Sequence, residues 1–329
     1  MKLPNLRELE DAATLVHESQ PPTPQICWPL ICQRSGAQVW VKHENHTSTG
    51  AFKVRGGLVY MSELKRRGGT KKVLAATRGN HGQSIAFAAK RAGLQAKIIV
   101  PEGNSPGKNA AMKAFGGELV VHGADFQEAL EHAMTLTDGD GVTLVPSFDM
   151  ALVKGVASYA LELFQAAPDL DTVYVPIGLG SGICGTIAAR DALGLKTKVV
   201  GVVSENAAAY ALSFAAGTPI STNSANTLAD GMACRVPVRT ALDFIIAGAE
   251  RIVSVSDDEV LVAMAAYLTD THNLAEGAGA APLAALLQEK AQMAGKTVGV
   301  ILSGGNADPE IIERVLQRTT NRNATTAKP

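Results

Sequence analysis

Residues 73–101, VLAATRGNHGQSIAFAAKRAGLQAKIIVP, and residues 173–203, VYVPIGLGSGICGTIAARDALGLKTKVVGVV, carry the same parts in the same order. Each opens with a short apolar run and breaks at a glycine-bearing turn. A stretch with helical periodicity follows, and then a second Val/Ile run. That is a strand–helix–strand unit written twice at nearly the same spacing. Continuous apolar strands, rather than alternating ones, mark parallel sheets covered on both faces. In each unit the turn presents backbone N–H groups at a helix N-terminus, which makes it a seat for an anion. Two such seats predict two anionic groups held in one cleft.

Along the chain, strands are expected at 72–76, 96–100, 118–121, 172–177, 198–203, 251–255 and 297–302. Helices are expected at 51–65, 82–92, 125–136, 153–165, 183–193, 257–271, 280–294 and 309–319. Strict alternation predicts an α/β fold with two three-layer αβα domains built on parallel-rich twisted sheets. One full set of units ends near Pro146. Residues 1–45 and 147–329 are therefore assigned to a large domain, and 46–146 to a small mobile one. The polar end NRNATTAKP, 321–329, is expected to fray.

The balance of the chain excludes several classes. Its 329 residues are 46% hydrophobic and 19% charged, as in globular proteins rather than disordered or collagenous ones. Thirty Lys+Arg against thirty-one Asp+Glu give a net charge of −1, so no basic nucleic-acid footprint is expected. Cysteines 27, 32, 184 and 234 show no CxxC pairing, which suits a reduced, cytoplasmic setting. The opening MKLPNLRELEDAA lacks the apolar core of a signal peptide, and no apolar run is long enough for a membrane span.

The chemistry concentrates in VKHENHTSTGAFKVRGG, residues 41–57. Lys53 stands among small and apolar neighbours at the start of a predicted helix. A desolvated lysine has a lowered pKa and acts as nucleophile or base, whereas most lysines simply face solvent. Two decoys need separating. Gly180-Ser-Gly182-Ile-Cys-Gly185, with Glu205 after the next strand, fits a dinucleotide fingerprint, but it equally fits a generic phosphate turn. Gly103-Asn-Ser-Pro-Gly107-Lys108 is one residue short of a P-loop and carries Asn109 where Ser or Thr would bind magnesium. His43 and His46 form H-x-x-H without a third ligand at metal spacing.

Lys42-x-Glu44-(four residues)-Thr49-Gly50-Ala51-Phe52-Lys53-x-Arg55-Gly56 resembles the cofactor-attachment motif of the tryptophan-synthase-β-like, or fold type II, pyridoxal-phosphate enzymes. Within them the chain most resembles the serine/threonine dehydratases. Thr77-Arg78-Gly79-Asn80-His81-Gly82-Gln83 is similar to their substrate-carboxylate loop, with Asn80 beside the cofactor's 3-hydroxyl. Pro176-Ile177-Gly178-Leu179-Gly180-Ser181-Gly182 is similar to their phosphate loop. Thr227-Leu-Ala-Asp230-Gly231, Glu276-Gly-Ala-Gly279 and Ser303-Gly304-Gly305-Asn306 match further landmarks, so the resemblance spans about residues 42–308.

The resemblance implies pyridoxal 5'-phosphate in the interdomain cleft, tethered to Lys53 as a Schiff base. The cofactor would be held by Phe52, Asn80, Gly178, Leu179, Gly180, Ser181, Gly182 and Ser303. Thr77, Arg78, Gly79, Asn80 and His81 would take the substrate carboxylate. His81 fits a supporting role better than that of a base, and Asn80 equally fits a helix cap. The implied activity is α,β-elimination of a β-hydroxy-α-amino acid (threonine or serine, 3-hydroxyaspartate, phenylserine) to a 2-oxo acid and ammonia. Lys53 would take the α-proton, and a homodimer is the family habit. The competing readings are β-replacement on the same fold and an NAD-dependent oxidoreductase built on Gly180, Gly182 and Gly185.

The chain departs from the family pattern at three points. Arg78 stands where a small residue is usual, and arginine is too basic to act as a racemase base. It suits either a structural ion pair or a second substrate carboxylate. Val203 and Ala209 occupy the acidic positions of the metal site found in some relatives, so no metal is expected there. Ser181 interrupts the usual all-glycine phosphate run, which leaves the dehydratase subgroup less defined than the cofactor.

Overall fold

The computed structural model describes residues 2–326, with side chains described to residue 319. In chain order its elements are α1 (Leu6–His17), β1 (Gln25–Cys27), α2 (Pro29–Ser35), β2 (Gln38–His43), α3 (Lys53–Arg67), β3 (Lys72–Ala76), α4 (Asn80–Ala92), β4 (Gln95–Val100), α5 (Pro106–Ala114), β5 (Gly117–Val121), α6 (Phe126–Thr135) and β6 (Val142–Leu144). There follow α7 (Met150–Ala166), β7 (Thr172–Pro176), α8 (Ser181–Ala192), β8 (Lys198–Ser204), α9 (Ala209–Ala216), α10 (Arg239–Gly248), β9 (Arg251–Val255), α11 (Asp257–Thr271), α12 (Gly277–Gln288), α13 (Lys290–Met293), β10 (Thr297–Leu302) and α14 (Pro309–Thr326). The tail expected to fray is helical to Thr326; residues 327–329 lie outside the described residues.

The strands form two sheets. Six run β1-β2-β10-β7-β8-β9 and four run β5-β4-β3-β6. β1 pairs antiparallel with β2, and every other pairing of described strands is parallel. The early chain thus returns to the larger sheet, with β2 in register along the whole of β10, from Gln38 opposite Thr297 to His43 opposite Leu302. Val39, Val41, Val200, Val298 and Val300 are fully buried between the covering helices. Parallel strands buried on both faces need such unbroken apolar runs.

Seven expected strands lie where the apolar runs placed them. β1 and β6 escape the pattern because three residues cannot show a period, and β2 because QVWVKH alternates and ends on buried polar residues. Several helices carry a start signal in the sequence, Asp125, Asp149 and the Ser256–Glu259 capping box among them. Asn5 and Glu8 form a reciprocal capping box on α1, and Ser105 caps α5 with Pro106 at its first position. The single helix expected over 280–294 is two, α12 and α13.

α3 is packed unusually close to its neighbours. A Cβ on Gly56 would lie 2.8 Å from the Leu152 carbonyl oxygen of α7, and one on Gly57 would lie 2.3 Å from Ser84 Oγ of α4. The Arg-Gly-Gly that follows Lys53 is therefore a packing requirement. Beneath it lies a buried charge cluster. Arg55, wholly buried, donates to Glu44 at 2.7 and 3.0 Å and to Glu162 at 2.6 and 3.0 Å. Lys42 Nζ reaches Glu162 at 2.5 Å. Burial opposes the charge on Glu162, but Arg55 and Lys42 outweigh it and hold the carboxyl at about 2.

Candidate active site

The loop before α3 is fastened to the end of β10. Phe52 N–H donates to the Ser303 carbonyl at 3.0 Å, Gly305 N–H to the Gly50 carbonyl at 2.9 Å, and Ala51 bridges Gly304 antiparallel. This places Lys53 at the C-terminal end of the larger sheet, where open α/β sheets bind ligands. The adjoining cavity is lined by Phe52, Lys53, Asn80, Gly178, Leu179, Gly180, Ser181, Gly182 and Ser303, together with Pro176, Gly231, Glu276 and Ala278. Thr77, Arg78, Gly79 and His81 are beside this cavity rather than on its wall.

Burial lowers the Lys53 amine to about 8, with Glu276 pulling the other way. The amine sits 4.8 Å from the centre of the Phe52 ring, and that ring meets Tyr159 edge-on at 6.0 Å. Ser84 Oγ donates to the Lys53 carbonyl at 2.7 Å and so ties α4 to the lysine.

The phosphate-loop glycines are at close quarters. A Cβ on Gly178 would lie 2.3 Å from the Gly231 carbonyl oxygen, and Gly180 has φ +100°, in the region that favours glycine. Tyr210 pins the loop by donating to the Leu179 carbonyl at 3.0 Å. The first amides of α8 (Ser181, Gly182 and Ile183) have no acceptor among the described residues, whereas Cys184 N–H already bonds Gly180. Gly185, the third glycine of the fingerprint, serves packing: its Cβ would lie 3.0 Å from Ala157 N of α7.

The opposing turn is partly self-satisfied. Thr77 Oγ1 accepts from Gly79 N–H at 3.1 Å and from Gly82 N–H at 3.3 Å. The Asn80 and His81 amides, at the start of α4, have no acceptor among the described residues. Asn80 donates to Glu276 Oε1 at 2.7 Å and accepts from Asn306 at 2.8 Å, so its amide is fixed rather than capping. Burial drives His81 down to about 3, with Lys53 adding to it, and its Nε2 is buried without a partner.

Two participants were not singled out from the sequence as site residues. Burial, reinforced by Asp230, raises the Glu276 carboxyl to about 7 against the pull of Lys108, Asn80 and Lys53. Lys108, the lysine of the failed P-loop, lies in the first turn of α5 and donates to Asp230 at 3.4 Å. Its signal, a lone lysine in a glycine–proline turn, pointed nowhere without the fold.

The family model described as "Pyridoxal-phosphate dependent enzyme" matches residues 16–304. The chain belongs to this family of pyridoxal-phosphate-dependent enzymes. It is 36% identical over 288 residues to the L-threonine ammonia-lyase of Geobacter sulfurreducens, covering 87% of this chain and 71% of that one. It is 33% identical over 291 residues to the catabolic L-threonine dehydratase of Escherichia coli, covering 87% of each. The fold superposes on the processed threonine deaminase isoform 2 of Solanum lycopersicum with a TM-score of 0.88 at 28% identity, covering 96% of this chain and 94% of that one.

The cofactor of this pyridoxal-phosphate-dependent enzyme follows from the family, and the dinucleotide reading of Gly180, Gly182 and Gly185 falls with it. The residues fit the group. An aldehyde needs an unprotonated amine, and burial shifts Lys53 toward that state, lowering it to about 8. A phosphate needs convergent donors, and the acceptor-free amides of α8 meet that need beside glycines whose Cβ atoms would fill the cradle. Among the described residues no group of three or more His, Cys, Asp or Glu is placed to hold a metal ion, and no helix is long and apolar enough to cross a membrane.

Proposed function

We propose that this enzyme is an ammonia-lyase that converts a β-hydroxy-α-amino acid of the threonine or serine class to a 2-oxo acid and ammonia. The observation that carries the reading is the Lys53 amine, lowered to about 8, in a cavity shared by the N-termini of α4 and α8. The relatives' names supply the reaction class: two are an L-threonine ammonia-lyase and an L-threonine dehydratase.

The α8 amides and Ser181 would hold the cofactor phosphate, and Phe52, Asn80 and Ser303, which line the same cavity, would hold the rest of the group. Pyridoxal phosphate, when bound, supplies an electron sink for the α-carbon. The Asn80 and His81 amides orient the substrate carboxylate, with Thr77 and Gly79 shaping their turn. The Lys53 amine takes the α-proton and the β-hydroxyl leaves as water. The released enamine tautomerises and regains that water on hydrolysis, giving the 2-oxo acid and ammonia. A neutral hydroxyl at Ser303 stabilises a ring charge less than a carboxylate would, which favours prompt loss of the β-substituent. His81, held neutral, fixes the turn rather than moving a proton.

The same reading takes 1–45 and 147–329 as the large cofactor-binding domain and 46–146 as the small mobile one. It takes the protein as a homodimer acting on a free amino acid in the cytoplasm. The test is a 2-oxo acid assay over threonine, serine, phenylserine and 3-hydroxyaspartate in both configurations. The expected result is release of 2-oxo acid and ammonia in equal amounts with no added nucleophile. Product that forms only when a thiol is supplied would instead mean β-replacement.

A further inference from the structure

Arg78 lies two residues before Asn80 and Asp230 one residue before Gly231, and both of those later residues line the cavity. The charged pair therefore stands beside the cavity, next in the chain to two residues that line it, with both side chains partly exposed. Lys108 completes the cluster. Its stem would be 2.9 Å from a Cβ on Gly79, and its amine is 3.4 Å from Asp230 Oδ2. Lys108 is committed there: burial opposes its charge, but Asp230, Glu276 and Asp308 together hold its pKa above the ordinary lysine value. Arg78 is not committed. Its nearest anion is Asp230, with Nε 3.5 Å from Oδ1, longer than a charged hydrogen bond. Its side chain is 53% exposed, and its terminal nitrogens have no acceptor among the described residues. A planar fork with open donors beside the cavity matches a carboxylate bidentately.

We propose that Arg78 is a specificity-determining residue that binds a second carboxylate, carried on the β-carbon of the substrate, so that the enzyme prefers a dicarboxylic β-hydroxy amino acid of the 3-hydroxyaspartate class. This rests on the ammonia-lyase reading above and deepens it. The α-carboxylate takes the α4 amides, and the β-carboxylate takes the Arg78 fork. Asp230 shares its charge between Lys108 and Arg78, so it holds the guanidinium beside the cavity without saturating it. A methyl group in place of the β-carboxylate leaves Arg78 in water. It therefore loses the added bond without a burial penalty, which makes the effect a preference rather than an exclusion.

The test measures kcat/KM of the holoenzyme for 3-hydroxyaspartate and for threonine, in the wild type and in Arg78→Ala and Arg78→Lys. The wild type is expected to favour 3-hydroxyaspartate. Arg78→Ala should lower the ratio of the two constants by about tenfold to a hundredfold, and Arg78→Lys should keep part of it. Calorimetric titration of the holoenzyme with malate, a dicarboxylate that cannot react, gives a readout independent of turnover. Its affinity should fall by roughly the same factor in Arg78→Ala. An unchanged ratio and unchanged malate affinity overturn the proposal. Turnover of threonine without any preference for 3-hydroxyaspartate in the wild type also overturns it, and leaves the ammonia-lyase reading standing. Failure of every β-hydroxy amino acid to release 2-oxo acid overturns both.

Discussion

In Lys53→Ala, release of 2-oxo acid falls by roughly 10³-fold or more, while the protein remains folded. The effect is large because one amine has two tasks, anchoring the cofactor and taking the α-proton. The side chain is also poorly placed to matter for stability. Its charge is disfavoured by burial, its favourable partner is Glu276 across the cavity, and its backbone is fixed independently by Ser84. An ordinary lysine with a pKa of 10.5 is about 0.3% neutral at pH 8, whereas Lys53, lowered to about 8, is about half neutral there. The check is the 2-oxo acid assay beside a circular dichroism spectrum. Retention of a tenth of the wild-type rate by a folded variant would refute the assignment.

Arg55→Met destabilises the fold by about 3–5 kcal/mol, read as a lowered denaturant midpoint. The guanidinium is wholly buried and is the common partner of Glu44 and Glu162. Removing it strands Glu44 without an ionic partner and leaves Glu162 to Lys42 and His17. Uncompensated buried charge is what makes the loss large. Changing Glu44 to Gln in the same variant should restore part of it, because the stranded charge goes as well. The cluster also sets an acid limit. Glu162 titrates at about 2 in the folded chain against an ordinary 4.5, so its contribution is complete above about pH 4.5 and is lost as the pH falls toward 2. A change of under 1 kcal/mol in Arg55→Met would show that solvent reaches the cluster.

The doubled strand–helix–strand units were legible because buried parallel strands must be apolar throughout, and because the phosphate seats need glycine at positions such as Gly180. Lys53 was legible from its small and apolar setting in 41–57. What sequence periodicity missed depends on distant partners. β2 hides its apolar pattern behind Lys42 and His43, which are buried with distant partners: Glu162, 120 residues later, accepts from Lys42, and Trp28 Nε1–H donates to His43. Glu276 acquires its raised pKa from being enclosed with Lys108, Asn80 and Lys53, which no local window contains. The loop 77–81 read as a nest of backbone donors, but Thr77 takes the Gly79 and Gly82 N–H groups for itself. That competition between a side chain and a ligand is set by rotamer, not by residue type.

Borohydride reduction of the purified holoprotein, followed by peptide mass mapping, reads directly whether the cofactor is tethered to Lys53. The expected result is loss of the yellow colour and a single stable adduct of cofactor mass on the peptide that carries Lys53. An adduct on another lysine, or a bleached protein with Lys53 unmodified, would contradict it.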